Sequence, residues 1–312
     1  MSRQKNHNIR LLIILLVAVC IVAAYEMIDV TGNEPGSYDR KQFSMTNTLD
    51  INQVEITGPD FKNTVVYQQA NWSINGKYPV DPMRISVFFA TMQNINIRRP
   101  ASREMIPQVS AAIDSAGVTV KLFSEGQLVH SFSAWGDDSK SVTYFRNKEG
   151  EIYIVEIPGY RSYVYGLVSL ETNEWRNKNV FNRMNWRNLG KIAVMYPGRE
   201  ADNFDIVPDG RFFKVLQVTP ETDTTRLTDY IDNISLLNAV AFMGDAPEDL
   251  ALTPSMTIQV FDVGKNPHTL ELFESKNGDK RYVTARVDSS EYIALPAPQA
   301  QQLFQTTDYF KK

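Results

Sequence analysis

Arginine and large aromatic residues crowd one stretch of this 312-residue chain. Tyr160, Arg161, Tyr163, Tyr165, Trp175, Arg176, Phe181, Arg183, Trp186 and Arg187 fall within 28 residues. These are the types enriched at interface hot spots, and a guanidinium stacks readily on an aromatic face. Two readings follow. In one, the stretch cements two parts of the chain, with Trp175 and Trp186 as buried wedges. In the other it is an exposed groove, in which Tyr160, Arg161, Trp175, Arg176, Arg183, Trp186 and Arg187 hold a partner, a glycan or a lipid head group. Burial of Trp175 and Arg176 separates the two.

A second group with chemical capacity is Trp135-Gly136-Asp137-Asp138. Two carboxylates beside an aromatic surface are what glycoside hydrolysis uses. The same residues also make an ordinary acidic turn, where Gly and Asp are favoured for backbone reasons. The corresponding stretch later in the chain, Glu274 to Asp279, is another polar turn and favours the plainer reading. His7, His130 and His268 show no ligand spacing, so no metal is expected. Cys20 is the only cysteine, which leaves no intramolecular disulfide and no thiol chemistry in the body of the chain. G-x-S-x-G and G-x-x-x-x-G-K-[ST] are both absent, so neither a serine nucleophile nor nucleotide binding is indicated, and no cofactor is expected.

The elements that would position these residues come as two diverged copies about 139 positions apart. Gln93-Asn94-Ile95-Asn96-Ile97 reappears as Asp232-Asn233-Ile234-Ser235-Leu236, and Glu151-Ile152-Tyr153-Ile154 as Ser290-Glu291-Tyr292-Ile293. A shared register over distant segments indicates a repeated unit. In the first copy, Ile51 to Ile56, Thr64 to Tyr67 and Trp72 to Ile74 read as short strands, the last closed by Asn75-Gly76. Asp81 then caps a helix with Pro82 at its first position, and Ile85, Phe88, Phe89, Met92 and Ile95 form its apolar stripe. A weaker helix runs from Glu104 to Ala116, stopped by Gly117. Val118 to Leu122 and Val129 to Ala134 alternate as a hairpin, and Val142 to Arg146 pairs with Ile152 to Ile157.

The second copy repeats this order. Ile192 and Val194, then Phe212 to Val218, precede a helix expected to start at Thr219-Pro220-Glu221, with Leu227, Tyr230, Ile231 and Ile234 inward. Strands at Ile258, at Tyr282 to Arg286 and at Tyr292 to Leu295 follow, then a helix from Ala297 to Phe304. The fold class is α+β: two tandem copies of a mainly antiparallel sheet with one packed helix each. The expected boundaries are 49–158 for the first copy, 159–188 for the aromatic connector and 189–312 for the second copy.

The N-terminus carries Arg3, Lys5 and Arg10, then an unbroken apolar run from Leu11 to Ala24. A positive flank keeps the N-terminus cytoplasmic, and Ile9, Tyr25, Met27 and Ile28 lengthen a run that is short for a span. Residues 1–28 are therefore read as an uncleaved membrane anchor and 29–48 as a tether. A cleaved signal ending near Ala24 and lipidation at Cys20 are the alternatives. All three place the rest of the chain outside the cytoplasm. Composition fits a globular body: 43% hydrophobic and 22% charged, with net charge −4 and pI near 5.5, and no basic stripe for nucleic acid.

The pattern Trp72, Asn75-Gly76-Lys77-Tyr78, Asp81, Ile85, Met92 and Ile95 resembles a bacterial family known as domain of unknown function 4340. So do Ile157-Pro158-Gly159-Tyr160 and Glu174-Trp175-Arg176-Asn177-Lys178 with Phe181. The second copy departs more, since Phe212-Phe213 replaces the tryptophan. The resemblance covers most of the chain after residue 45. It implies a membrane-anchored envelope protein facing the periplasm, accessory to an ABC-type transporter or other envelope proteins, and it brings no catalytic residue. The expected function is thus a membrane-anchored periplasmic binding or interaction module. A carbohydrate-active hydrolase using Asp137 and Asp138, and a structural spacer, are the other readings.

Overall fold

The computed structural model describes residues 38–182, 184–219, 221–248, 250–274 and 281–312. Among these residues no helix is long and apolar enough to cross a membrane, and the expected anchor, residues 1–28, lies outside them. The expected tether is a correction where it is described. Phe43 is fully buried among the rings of Phe132, Phe145 and Tyr153, and the Met45 amide donates to the Met92 carbonyl. From residue 38 on, the segment is therefore packed, because its two large apolar side chains, Phe43 and Met45, sit in the core.

The described chain gathers into two compact units. The smaller comprises residues 38–48, 89–117 and 131–167, and the larger 49–88, 118–130 and 168–312. Both rest on antiparallel sheet with a few helices, a mixed α+β architecture.

In the larger unit, β1 (Gln53–Thr57), β2 (Lys62–Gln68), β3 (Asn71–Ile74), β4 (Tyr78–Pro79) and, later in the chain, β6 (Val118–Ser124) lie in the order β4-β3-β2-β1-β6. Alternation decides the faces: Val54 and Ile56 of β1 face inward with Val118, Val120 and Leu122 of β6. Asn75-Gly76, both at positive φ, turn the chain after β3. Helix α1 (Pro82–Asn94, in the larger unit as far as Phe88) then starts where expected: the Asp81 carboxylate accepts the Met83 amide at 2.8 Å. Ile85, Phe88, Met92 and Ile95 are its buried stripe.

The smaller unit holds β5 (Asn96–Pro100), α2 (Ile106–Ala116), β7 (Gln127–Gly136, from residue 131), β8 (Thr143–Arg146) and β9 (Ile152–Glu156), ordered β7-β8-β9-β5. Val109 and Ile113 of α2 pack on Tyr144, Ile152 and Ile154. Helix α2 begins at Ile106, two residues later than the expected Glu104, and ends before Gly117. A Cβ at Gly117 would lie 2.5 Å from the Ile113 carbonyl oxygen and 2.8 Å from that of Ala134, so close backbone approach requires glycine there.

The remainder of the larger unit contains α3 (Tyr165–Val168, one turn, reaching it only at Val168) and α4 (Thr172–Trp175), both short. After them come β10 (Leu189–Met195), β11 (Phe204–Asp209), β12 (Phe212–Val215), α5 (Thr224–Ser235) and β13 (Ala241–Gly244). The last elements are β14 (Met256–Asp262), β15 (Pro267–Phe273), β16 (Tyr282–Val287), β17 (Glu291–Pro296) and α6 (Ala297–Leu303). The eight strands are ordered β12-β11-β10-β14-β15-β16-β17-β13. Leu227, Tyr230, Ile231 and Ile234 seat α5 on this sheet, and Tyr230 meets the rings of Phe204 and Phe310.

The expected helix start at Thr219-Pro220-Glu221 is a second correction. Helix α5 begins at Thr224, because the Asp223 carboxylate caps the amides of Thr225 and Arg226. The preceding residues are held extended: Thr222 bridges to Lys311, and the Asp223 amide donates to the Phe310 carbonyl. Strands β4, β5, β11, β13 and β15 had no expected counterpart in the sequence.

Candidate functional site

The aromatic and arginine-rich stretch does not form one cluster. In the larger unit it makes a buried lock. The one-turn helix α4 is opened by a capping box, in which the Glu171 amide donates to the Glu174 carboxylate at 2.9 Å. That turn drives Trp175 inward until it is fully buried. Its ring stands edge-on to Phe88 at 5.6 Å, its indole N–H donates to the Leu170 carbonyl, and its own carbonyl accepts the Asp81 amide.

Arg176 follows in extended conformation, bridged to Val80. Its guanidinium carbon lies 3.6 Å from the centre of the Tyr78 ring and 3.5 Å from that of Phe242. Two parallel hydrogen bonds, of 2.7 and 2.5 Å, join it to Glu291, and a third reaches Asn173. Only a planar fork both stacks between two rings and grips a carboxylate with two donors, so lysine is no substitute. Trp175 is wholly covered and presents no surface to a ligand, and the expectation that it lines an exposed groove is corrected on that ground. Arg176 is only 5% exposed and touches, with Tyr78, Phe242 and Glu291, the wall of a cavity of about 300 Å³.

Asn63 of β2 completes the lock. It is fully buried, donates to the Leu170 carbonyl and accepts from the Thr172 hydroxyl. Further along, Trp186 is 43% exposed, donates from its indole N–H to Asp232 at 3.0 Å and packs on Phe213. Arg187 is exposed, and Arg183 lies outside the described residues.

In the smaller unit the start of the stretch behaves oppositely. Ile157-Pro158-Gly159-Tyr160 is a tight turn closed by the Tyr160 amide on the Ile157 carbonyl at 3.0 Å. Pro158 fixes its own φ, and Gly159 takes φ +81°, the conformation that the third residue of such a turn requires. The turn holds Tyr160 out to solvent at 75% exposure, with Arg161 exposed beside it. Tyr163 and Tyr165 tie the segment down, the first through its hydroxyl to the Asp137 carbonyl and the second to Thr143 and the Ala116 carbonyl. Beside Tyr160 and Arg161 lies a cavity of about 310 Å³, to which Arg98, Lys140, Ser141 and Glu156 also contribute.

Asp137 is the clamp of the adjoining loop. Its carboxylate accepts the Ser139 hydroxyl, the Ser141 hydroxyl at 2.8 Å, and the amides of Ser141 and Val142 at 2.8 and 2.6 Å. Partial burial pushes its pKa up, but the bonds from Ser139, Val142 and Ser141 together outweigh that and hold it at about 2. A carboxylate with its oxygens so occupied does not donate a proton at neutral pH, so the expected acidic pair lacks a general acid at Asp137. Asp138 is exposed.

The consequence is measurable. Because the folded pKa lies below the ordinary aspartate value, the clamp stabilises the fold fully above about pH 5 and loses that contribution as pH falls through about 2. Asp137→Ala should therefore cost about 1–2 kcal/mol at pH 7, at the modest end because the loop is solvated. The difference from wild type in urea midpoint should close below about pH 3; a difference that stays constant down to pH 2 would contradict the clamp.

Of the histidines, His268 on β15 lies 3.5 Å from Asp288, and His130 is half-buried on β7. Among the described residues no three His, Cys, Asp or Glu side chains gather as metal ligands. The residues that local patterns did not disclose are Tyr78, Phe242, Glu291, Asn63, Arg98 and Lys140. Glu291 stood in plain view within the repeated Glu291-Tyr292-Ile293, but its partner is 115 positions away.

No curated protein and no solved structure matches the chain. One family model does, over residues 72–255, which is more than half of the sequence and includes α1, Trp175, Arg176 and the Tyr160 turn. The chain therefore belongs to the family described as Domain of unknown function (DUF4340).

Proposed function

We propose that this protein is a binding module of the bacterial cell envelope, held in the inner membrane by residues 9–28 and facing the periplasm, and that it serves an ABC-type transporter or another envelope complex. The observation that carries the binding part is the Tyr160 turn: a rigid Pro-Gly corner that keeps a large aromatic and an arginine in solvent next to a cavity. Tyrosine and arginine side by side are the residue types enriched at interface hot spots. The membrane part rests on the basic flank and apolar run of residues 3–28.

The body is read as a tandem duplication, with copies at 49–158 and 189–312 and a connector at 159–188. The strand orders support this: β3-β2-β1-β6 and β7-β8-β9-β5 have the counterparts β12-β11-β10-β14 and β15-β16-β17-β13. Helices α1 and α5 also occupy corresponding places, each opened by an aspartate cap.

Two measurements test the proposal. Protease added to intact spheroplasts should degrade the body and leave the N-terminus protected; protection of the body would overturn the topology. Co-purification from detergent-solubilised membranes should recover transporter or envelope subunits with wild type and lose about tenfold with Tyr160→Ala/Arg161→Ala. Equal recovery with the double variant would remove this surface from the proposal.

A further inference from the structure

The cavity beside Tyr160 is built by three separate backbone devices, tied together by one side-chain hydrogen bond. Arg98 is the extra residue of a bulge in β5: the pairing with β9 shifts register between Ile97 and Arg99, and a bulge redirects the side chain it carries. Lys140 sits at φ +54°, a left-handed conformation unfavourable for lysine, held there by its amide on the Asp137 carbonyl and by the Asp137 clamp. Tyr160 and Arg161 are set by the Pro158-Gly159 turn. The Tyr163 hydroxyl joins that segment to the Asp137 loop. Strained and bulged backbone persists only where its surroundings over-determine it, and such features gather at binding sites.

The chemistry of the lining is specific. Three cations, Arg98, Lys140 and Arg161, face one carboxylate, Glu156, which meets Arg98 at 3.7 Å. Lys140 and Arg161 meet no carboxylate among the described residues. Asp137, on the adjoining loop, keeps its negative charge, but its oxygens are taken by Ser141 and Val142 and it does not line the cavity. Ser141, Ser162 and Tyr163 add hydroxyls, and the exposed Tyr160 ring stands at the site as an apolar platform with a polar tip. A volume of about 310 Å³ takes one sugar ring and leaves any further rings of a chain in solvent.

We infer that this cavity binds an anionic sugar ring, one bearing a carboxylate. The C–H face of the ring packs on Tyr160, its hydroxyls exchange hydrogen bonds with the serines, and its charge is taken by Arg161 and Lys140. This rests on the binding-module reading and names the ligand class of the same surface.

The test is calorimetric titration of the full chain in detergent micelles with trigalacturonate, with the neutral trisaccharide maltotriose, and with vesicles of phosphatidylglycerol. Trigalacturonate should bind, weaken as salt rises from about 50 to 300 mM, and lose about tenfold in affinity with Lys140→Ala, Arg161→Ala or Tyr160→Ala. All three positions are exposed, so circular dichroism should show unchanged folding. Equal binding of maltotriose, binding to the vesicles alone, or no binding of trigalacturonate would each overturn the inference. If trigalacturonate fails while Tyr160→Ala/Arg161→Ala still strips envelope subunits from the purified protein, the ligand class is wrong and the binding module stands. If the double variant strips nothing and no sugar binds, both fall.

Discussion

Replacing Trp175 by alanine should lower the unfolding free energy of the larger unit by about 3–5 kcal/mol, the cost of emptying a site that held a fully buried tryptophan. The cavity left cannot collapse easily, because its walls are fixed by other bonds. Phe88 belongs to α1, whose first turn is capped by Asp81, and the Asp81 amide is itself held by the Trp175 carbonyl. Trp175→Phe is the informative companion. It keeps most of the volume and the contact with Phe88, and the Leu170 carbonyl retains the Asn63 donor at 3.1 Å. Its loss should be about 1–2 kcal/mol. Chemical denaturation of the full chain reads both. A Trp175→Ala loss below about 1 kcal/mol would mean that the ring is not a wedge.

Glu291→Ala should be nearly as damaging, at about 3 kcal/mol, because it leaves the Arg176 cation buried between two rings without its carboxylate. The low end of the range for broken buried pairs applies, since the Glu291 side chain is 21% exposed and some water reaches the pair. The decisive variant is Arg176→Met/Glu291→Met. It removes both charges and leaves flexible apolar side chains against Tyr78 and Phe242, so stability should return to within about 1 kcal/mol of wild type. If the double variant is as unstable as Glu291→Ala, the pair contributes something that apolar packing does not replace.

Local chemistry carried much of the fold. Asp81-Pro82 marked a helix start and Asn75-Gly76 a turn because capping and positive φ depend on the residues themselves. Alternation in Val118-Thr119-Val120-Lys121-Leu122 marked a strand for the same reason. Thr219-Pro220-Glu221 misled because it carries the same start signal as a true cap, while contacts with Phe310 and Lys311 hold the neighbouring residues extended and leave capping to Asp223. Strands β5 and β13 were illegible because most of their side chains are exposed edge positions without alternation. The aromatic and arginine-rich stretch announced its residue types but not their fates. Tyr160 and Trp175 are equally aromatic, and only a Pro-Gly corner in one case and a capped helical turn in the other sends the first to water and the second to the core. Lys140 gave no signal at all, since its place depends on a clamp formed by its neighbours.

Strands β5 and β13 each sit at a sheet margin beside a strand made much later, β9 and β17. Every strand between is joined to a neighbour close in sequence, so those hairpins form as soon as they are available. The margin strands cannot, because roughly fifty residues must be closed into a loop before the first bond of either pairing is made. During synthesis each margin strand emerges with its helix and then waits, with its backbone groups unpaired, until the final strand of its sheet is released. The Arg98 bulge and Pro100 make β5 a poor template for a stray strand in that interval. The same bulge that aims Arg98 at its cavity thus also protects the newborn chain from pairing with its neighbours.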